Sequence, residues 1–137
     1  MKKLNNILLI DDNNITNFLH KRVIEKLGIA ESIVEFDDAL NALEYLENNA
    51  EAKADLIFLD INMPGLDGWE FMERYNMLPE YKKTSTIYML LSTMIKDSDA
   101  AYSKTIPHLS GFKYKPLSEE ILNEIIEKHF VSVLEKE

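Results

Sequence analysis

Five short apolar runs alternate with stretches of helical periodicity, and this alternation constrains the fold more than any other feature of the chain. Runs rich in Ile, Leu and Val that are joined by amphipathic helices are typical of parallel strands buried on both faces. Because connections between parallel strands are right-handed, the pattern favours an open sheet with helices on both sides. The sequence therefore predicts an α/β fold, a doubly wound (βα)5 parallel sheet with strands at residues 7–10, 32–36, 56–59, 87–91 and 111–114.

A helix is predicted after each strand from capping residues and apolar spacing. The predicted caps or first residues are, in chain order, Asn14, Asp37 or Asp38, Asp67 or Gly68, Asp97 and Ser118. The side chains predicted to face the core are Ile15, Phe18, Leu19, Val23 and Leu27 from the first helix, Leu40, Leu43 and Leu46 from the second, Trp69, Phe71, Met72 and Tyr75 from the third, and Ile121, Leu122, Ile125, Ile126, Phe130 and Val133 from the fifth. The fourth helix has the weakest apolar pattern, and Pro107 would end it.

Composition narrows the classes of protein to consider. The 137 residues suffice for one domain, with a core predicted over about residues 5–130. The chain has no Cys, which excludes disulfides and thiolate sites and suits a reducing cytoplasm. A net charge of −9 disfavours direct binding to nucleic acid, since phosphate binding needs a basic face. No apolar run is long enough to cross a membrane. His20, His108 and His129 show no ligand spacing and are predicted to lie on the surface.

Carboxylates follow two of the predicted strands. Asp11 and Asp12 come directly after the first strand, and Asp60 ends the third. Ligands of open α/β sheets bind outside the carboxyl ends of the strands, where these acids would meet. Magnesium prefers carboxylate, carbonyl and water oxygens, so the sequence predicts a Mg²⁺ site with Asp12 and Asp60 as direct ligands, Asp11 holding a coordinated water and the Asn62 backbone carbonyl completing the set. The alternative for each acid is an ordinary cap or turn residue.

Asp60 is also the predicted nucleophile, since a carboxylate can attack phosphorus and form an aspartyl phosphate. Two further residues at predicted strand ends suit phosphate oxygens. The Ser92 hydroxyl is a hydrogen-bond donor after the fourth strand, although Thr93 could take this role instead. The Lys115 ammonium follows the fifth strand and precedes Pro116. Taken singly, a Ser or Lys in such a position is usually a turn or surface residue.

Together these residues resemble the receiver domain of two-component response regulators. The motif segments are Ile10-Asp11-Asp12, the stretch from Leu59 to Gly68, Leu91-Ser92, and the stretch from Gly111 to Pro116. The resemblance implies the strand order 2-1-3-4-5. It also implies a role for each matching residue: phosphoacceptor for Asp60, direct metal ligand for Asp12, outer metal-site acid for Asp11, switch hydroxyl for Ser92, switch aromatic for Phe112 and phosphate-contacting cation for Lys115. Thr93 and Phe112 depart from the commonest pattern, in which Ala and Tyr are frequent.

The resemblance implies partners as well. A histidine kinase or a histidine phosphotransfer protein would phosphorylate Asp60 with Mg²⁺ bound. A downstream protein would then bind the face built from the fourth helix, fifth strand and fifth helix. The sequence leaves open whether the chain also forms a homodimer. Since only about seven residues follow the predicted core, we expect a stand-alone receiver.

Three other functions compete with this interpretation. A magnesium phosphohydrolase with an aspartyl nucleophile typically has an acid two residues later, where this chain has Asn62. A flavodoxin-like nucleotide binder would need a Gly-rich phosphate loop, which the four glycines do not form. A constitutive interaction module would use the same fold without phosphorylation. We therefore expect a phosphoacceptor switch with at most slow self-phosphorylation and self-dephosphorylation.

Overall fold

A computed structural model describes residues 3–48 and 53–131. Strands and helices alternate along these ranges: β1 (Leu4–Ile10), α1 (Asn14–Leu27), β2 (Ala30–Phe36), α2 (Ala39–Asn48), β3 (Leu56–Asp60), α3 (Gly68–Tyr75), β4 (Thr86–Leu91), α4 (Asp97–Ser103), β5 (Leu109–Tyr114) and α5 (Glu119–His129), with a short 3-10 helix at Glu80–Lys82. The strands form one parallel sheet in the order β2-β1-β3-β4-β5. The predicted doubly wound fold and strand order are confirmed.

Burial separates central from edge strands. Every residue of β3 is buried, as are nearly all residues of β1 and β4, whereas β2 and β5 are partly exposed. Four strands begin earlier than the apolar runs predict, because polar residues such as Asn6 and Thr86 also pair in the sheet. The register aligns Ile10 with Leu59 and Asp60 with Leu90, so the strand ends meet at one edge.

Two apolar layers hold the helices against the sheet. On one face, α2 and α3 bury Leu43, Phe71 and Tyr75 against β1, β3 and β4. On the other face, α1 and α5 bury Ile24 and Leu122. Each fully buried side chain of this size stabilises the fold by about 1.5–3 kcal/mol before the entropy cost of ordering it. No helix of the described part of the chain is long and apolar enough to cross a membrane.

The predicted helix caps are confirmed except at α1. Asn13, not Asn14, caps this helix, with its side chain accepting from the backbone N–H groups of Ile15 and Thr16. Asp38 accepts from the N–H of Asn41 at the start of α2. Asp67 and Glu70 form a reciprocal capping box at α3, and Ser118 caps α5. These bonds satisfy donors that the first turn of a helix leaves without partners.

The predicted apolar face of α1 is wrong over its first half. Ile15, Phe18 and Leu19 are 71%, 53% and 53% exposed, while Asn17 and His20 are buried. The physical reason lies in the loop after β1, where the Asn17 side-chain amide donates to the backbone oxygens of Asp11 and Phe36. The second half of α1 does face the core, where Val23 and Leu27 pack against the apolar layer. On α2, Leu43 and Leu46 are buried as predicted, but Leu40 is 43% exposed.

The remaining helices agree with their patterns. On α3, Phe71, Met72 and Tyr75 are buried and Trp69 is partly buried. Helix α4 is short and has no buried residue, and it ends before Pro107. On α5, Leu122 and Ile125 are buried, Ile121 and Ile126 are partly buried, and Phe130 follows them into the core. Val133 lies outside the described residues.

Gly68 allows α3 to approach the end of β3. An added Cβ there would lie 3.0 Å from the Asp60 carbonyl oxygen and 3.0 Å from the Ile61 Cα atom. We expect Gly68→Ala to lower the free energy of unfolding by about 1–3 kcal/mol, the usual cost of overpacking. Denaturant titration would measure this, with Glu73→Ala on the exposed side of the same helix as a control that should change stability by less than about 0.5 kcal/mol. Equal stability of the Gly68 variant and the wild type would contradict the close approach.

Candidate functional site

Three carboxylates meet at the carboxyl edge of the sheet. Asp60 is the last residue of β3, and Asp11 and Asp12 lie in the loop between β1 and α1. One carboxylate oxygen from each of the three lies within 4.8 Å of the others. Asp11 and Asp60 are buried, whereas Asp12 is exposed. The structure therefore brings together the acids that the sequence predicted to meet, with one of them open to solvent.

Lys115 contacts the two buried acids. Its Nζ atom donates to Asp11 Oδ2 at 2.6 Å and to Asp60 Oδ1 at 3.2 Å. The Lys115 backbone N–H donates to the Leu91 carbonyl at 2.8 Å, which attaches the end of β5 to the end of β4. Asp11 Oδ1 accepts from the Asn13 backbone N–H at 2.9 Å, so both oxygens of Asp11 are engaged. An Asp11 held in this way is less available as a direct metal ligand than as an outer acid.

The pKa values of Asp60 and Lys115 reflect both burial and neighbouring charge. Burial first and the charge of Asp11 second raise the pKa of Asp60, Lys115 opposes both effects, and the net pKa is about 6. Burial alone would lower the pKa of Lys115, but its contacts with Asp11 and Asp60 outweigh this, and the net shift is upward. Lys115 therefore stays charged at neutral pH. Ionisation of Asp60 is therefore less favourable than that of an ordinary aspartate, and a further positive charge at the site would favour it.

The donor set fits a divalent cation of the magnesium type. All donors are carboxylate oxygens, the exposed Asp12 is accessible to an ion, and the net charge of three ionised acids and one ammonium is negative. Asn62 follows Asp60 by two residues and is exposed beside the site. The use of its backbone carbonyl as a further ligand remains a prediction.

Ser92 and Thr93 follow β4 at the same edge. Both are exposed, and both line a surface pocket with Asn62, Trp69 and Met94. Ser92 directly follows Leu91, whose carbonyl holds the Lys115 backbone. Both residues therefore border the same pocket as Asn62, which follows Asp60 by two residues, and the choice between the two hydroxyls stays open.

Phe112 lies within β5 and not at its end. The residue is half-buried, and its ring meets the Trp69 ring edge-on at 6.2 Å between centroids. Trp69 in turn meets Tyr102 of α4 at 5.2 Å. These contacts connect β5 through α3 to α4, on the side of the sheet where the pocket lies. The role of Phe112 as a switch aromatic remains a prediction.

The predicted surface position of His20 is wrong. This side chain is 2% exposed, and its Nε2 atom accepts a hydrogen bond from the Leu117 backbone N–H at 3.3 Å. The spacing of Asn17, His20 and Ile24 on α1 is the one sequence signal for this buried face. His129 is also not free on the surface, since its Nε2 atom pairs with the Tyr88 hydroxyl at 2.7 Å.

Comparison with known proteins gives one consistent result. Residues 7–127 match the model of the response regulator receiver domain family. The probable methanogenesis regulatory protein FilR2 of Methanothrix harundinacea is 30% identical over 125 residues, which cover 89% of this chain and 79% of that protein. The cyclic di-GMP phosphodiesterase response regulator RpfG of Xanthomonas campestris is 30% identical over 112 residues, but the chain spans only 28% of its length. A two component response regulator from Cytophaga hutchinsonii superposes with a TM-score of 0.84 at 28% identity, covering 95% of this chain and 99% of that one. The chain therefore belongs to the response regulator receiver domain family and is a receiver domain of two-component phosphorelay signalling.

Proposed function

We propose that Asp60 accepts a phosphoryl group from the phosphohistidine of a histidine kinase or histidine phosphotransfer protein, with Mg²⁺ bound at the acid cluster. One observation carries this proposal: the buried Asp60 carboxylate lies at a strand end within reach of two other carboxylates and of the Lys115 ammonium. A turn residue would need neither the acids nor the cation. The cytoplasm is the proposed setting, as is usual for receiver domains.

The transfer balances as a simple displacement. An Asp60 oxygen attacks phosphorus, an O–P bond forms, and the P–N bond to the donor imidazole breaks with its electron pair returning to nitrogen. Mg²⁺ would offset the charge of the incoming phosphoryl oxygens. Asp12 would bind the ion directly, Asp11 would orient a coordinated water, and the Asn62 carbonyl would complete the protein ligands.

Lys115 and a hydroxyl would hold the phosphoryl group once it is attached. The Lys115 ammonium already contacts Asp60 Oδ1 and can move onto a phosphoryl oxygen with little displacement. Ser92, or Thr93 in its place, would donate from the pocket side. Because Asn62 stands where an aspartyl phosphohydrolase has its general acid, we propose slow loss of phosphate and not rapid turnover.

The output surface is proposed to be the α4-β5-α5 face. Helix α4 has no buried residue and so belongs to the least stable part of the fold. A hydroxyl that moves towards phosphate would vacate space beside Trp69, which Phe112 already contacts. Phosphorylation would thereby shift α4 between existing states, and a downstream protein, or a second copy of the chain in a homodimer, would bind one of them.

The first experiment tests phosphorylation itself. Incubation with acetyl phosphate and Mg²⁺ should add one phosphoryl group per chain by intact mass, and Asp60→Asn should abolish the adduct because the amide is not a nucleophile. Asp37→Asn is the matched control, since Asp37 also follows a strand at this edge but lies outside the acid cluster. An adduct that survives in Asp60→Asn would reject Asp60 as the acceptor.

The same assay separates the rival functions. Beryllofluoride should bind the wild type in the presence of Mg²⁺ and should not bind Asp60→Asn. Steady hydrolysis of a phosphate monoester over many turnovers would instead favour the phosphohydrolase. Failure to form either adduct would favour the constitutive interaction module.

A second experiment tests the charge imbalance through stability. The folded-state pKa of Asp60, about 6, lies above its ordinary value of 3.8, so ionisation of Asp60 opposes folding above about pH 6. We expect Asp60→Asn to raise the free energy of unfolding by about 1–2 kcal/mol at pH 8 in a chelator. This is less than the roughly 3 kcal/mol that two pKa units represent, because an amide binds Lys115 more weakly than a carboxylate does. The difference in free energy of unfolding between Asp60→Asn and the wild type should shrink as pH falls from 6 towards 4.

Added Mg²⁺ provides the control for this stability measurement. Mg²⁺ should raise the free energy of unfolding of the wild type more than that of Asp60→Asn. At pH 8 the stability advantage of Asp60→Asn over the wild type should therefore become smaller or change sign. Denaturant titrations with and without Mg²⁺ at both pH values would measure the effect. A gain that is equal at pH 4 and pH 8 would mean that Asp60 ionisation does not oppose folding.

A further inference from the structure

We infer that His20 is a positioning residue for the proposed phosphorylation, because its hydrogen bond to the Leu117 backbone fixes the loop that carries Lys115 against Asp11 and Asp60. The inference rests on the proposed function of the acid cluster. It assigns a role to a residue that lies on α1 and touches none of the reacting atoms.

The loop after β5 has two backbone attachments, one on each side of Pro116. Before the proline, the Lys115 N–H donates to the Leu91 carbonyl at 2.8 Å. After it, the Leu117 N–H donates to His20 Nε2 at 3.3 Å. Proline has no N–H of its own. Residues 115–117 have only two backbone N–H groups, and His20 accepts a hydrogen bond from one of them. This bond attaches the loop to α1, whereas the helix that follows the loop in the chain is α5.

The surroundings of this bond are closed to water. His20 is 2% exposed and Leu117 is 3% exposed. The Leu117 side chain packs in the same apolar layer as Ile24 of α1 and Leu122 of α5. A buried N–H without an acceptor costs about 1–3 kcal/mol, so the loop would move towards another partner if His20 could not accept.

Histidine suits this position because of both its length and its charge. The backbone carbonyls inside α1 are used within the helix, so the acceptor for Leu117 has to be a side chain that projects from it. A neutral imidazole accepts at one nitrogen only. Burial lowers the pKa of His20, Asp11 raises it and the charge of Lys115 lowers it again, with a net downward shift that favours the neutral ring. A carboxylate in the same place would instead compete with Asp11 and Asp60 for Lys115.

If His20 only stabilised the fold, it would accept the hydrogen bond from the Leu117 N–H without affecting the position of Lys115. Matched variants separate this structural role from the positioning role. His20→Gln keeps an acceptor at about the distance of Nε2, whereas His20→Asn carries the same amide on a shorter side chain. His20→Leu removes the acceptor and keeps the site apolar. Ile24→Ala is the control for general destabilisation, since Ile24 is buried on the same helix and in the same layer but has no polar side-chain atom that could bond the Leu117 N–H.

Two measurements are made on the whole 137-residue chain, under conditions in which circular dichroism shows each variant to be folded. The first is the rate of phosphoryl adduct formation with acetyl phosphate and Mg²⁺. The second is the rate at which an amine-acylating reagent modifies Lys115, measured by peptide mass spectrometry relative to the exposed Lys104. The second measurement needs no phosphorylation, so it remains informative if the wild type forms no adduct, a result that would reject the proposed function alone.

We expect His20→Leu and His20→Asn to slow adduct formation by about ten-fold or more, because small displacements of a positioned group cost up to about a hundred-fold in rate. The same two variants should make Lys115 react several-fold faster with the acylating reagent. His20→Gln should restore both rates to within about three-fold of the wild type, and Ile24→Ala should leave both close to the wild type. The inference is overturned if His20→Leu changes neither rate, if it changes labelling without changing adduct formation, if Gln is as impaired as Asn, or if Ile24→Ala has the same effect.

Discussion

The contact of Lys115 with Asp11 and Asp60 is the interaction on which the rest of the site depends. A parallel sheet brings its strand ends to one edge, and here that edge holds three acids, two of them buried. Buried carboxylates are costly without a partner, and one ammonium at 2.6 and 3.2 Å offsets only part of the cost. Burial, together with the charge of Asp11, therefore still raises the pKa of Asp60. The feature that weakens the fold at neutral pH is therefore the same feature that suits the site to a divalent cation.

The position of this edge was predictable because strand and helix patterns are local properties of the sequence. The continuous apolar runs of β1, β3 and β4 fix both the burial of these strands and the points where they end. With the strand order that the resemblance implies, the ends of β1 and β3 are neighbours, so Asp11 and Asp60 lie close together, and the long Lys115 side chain reaches both from the end of β5. The helix caps were also predictable, apart from a shift of one residue at Asn13, since they depend on only a few neighbouring residues.

The buried face of α1 was not predictable in the same way, because it depends on groups far away in the sequence. Apolar spacing alone favours Ile15, Phe18 and Leu19 as core residues, yet all three are exposed. The inward positions go to Asn17 and His20, which satisfy the backbone of Asp11, Phe36 and Leu117. Only the assembled fold shows that these backbone groups lie within reach of α1. A polar residue at helical spacing between apolar ones is then evidence of a buried contact and not of a solvent-facing side.

The two faces of the sheet differ in how firmly they hold the segments beside the acid cluster. On the side of α1 and α5, Lys115 follows a strand whose connecting loop is held by His20 and by the buried Leu117. On the side of α3 and α4, the exposed hydroxyls of Ser92 and Thr93 border a pocket, and α4 contributes no buried residue. Under the proposed function, a charge added at Asp60 would meet the Lys115 ammonium on one side and the hydroxyls of the pocket on the other. The ring contacts of Trp69 with Phe112 and with Tyr102 would then connect this pocket to α4.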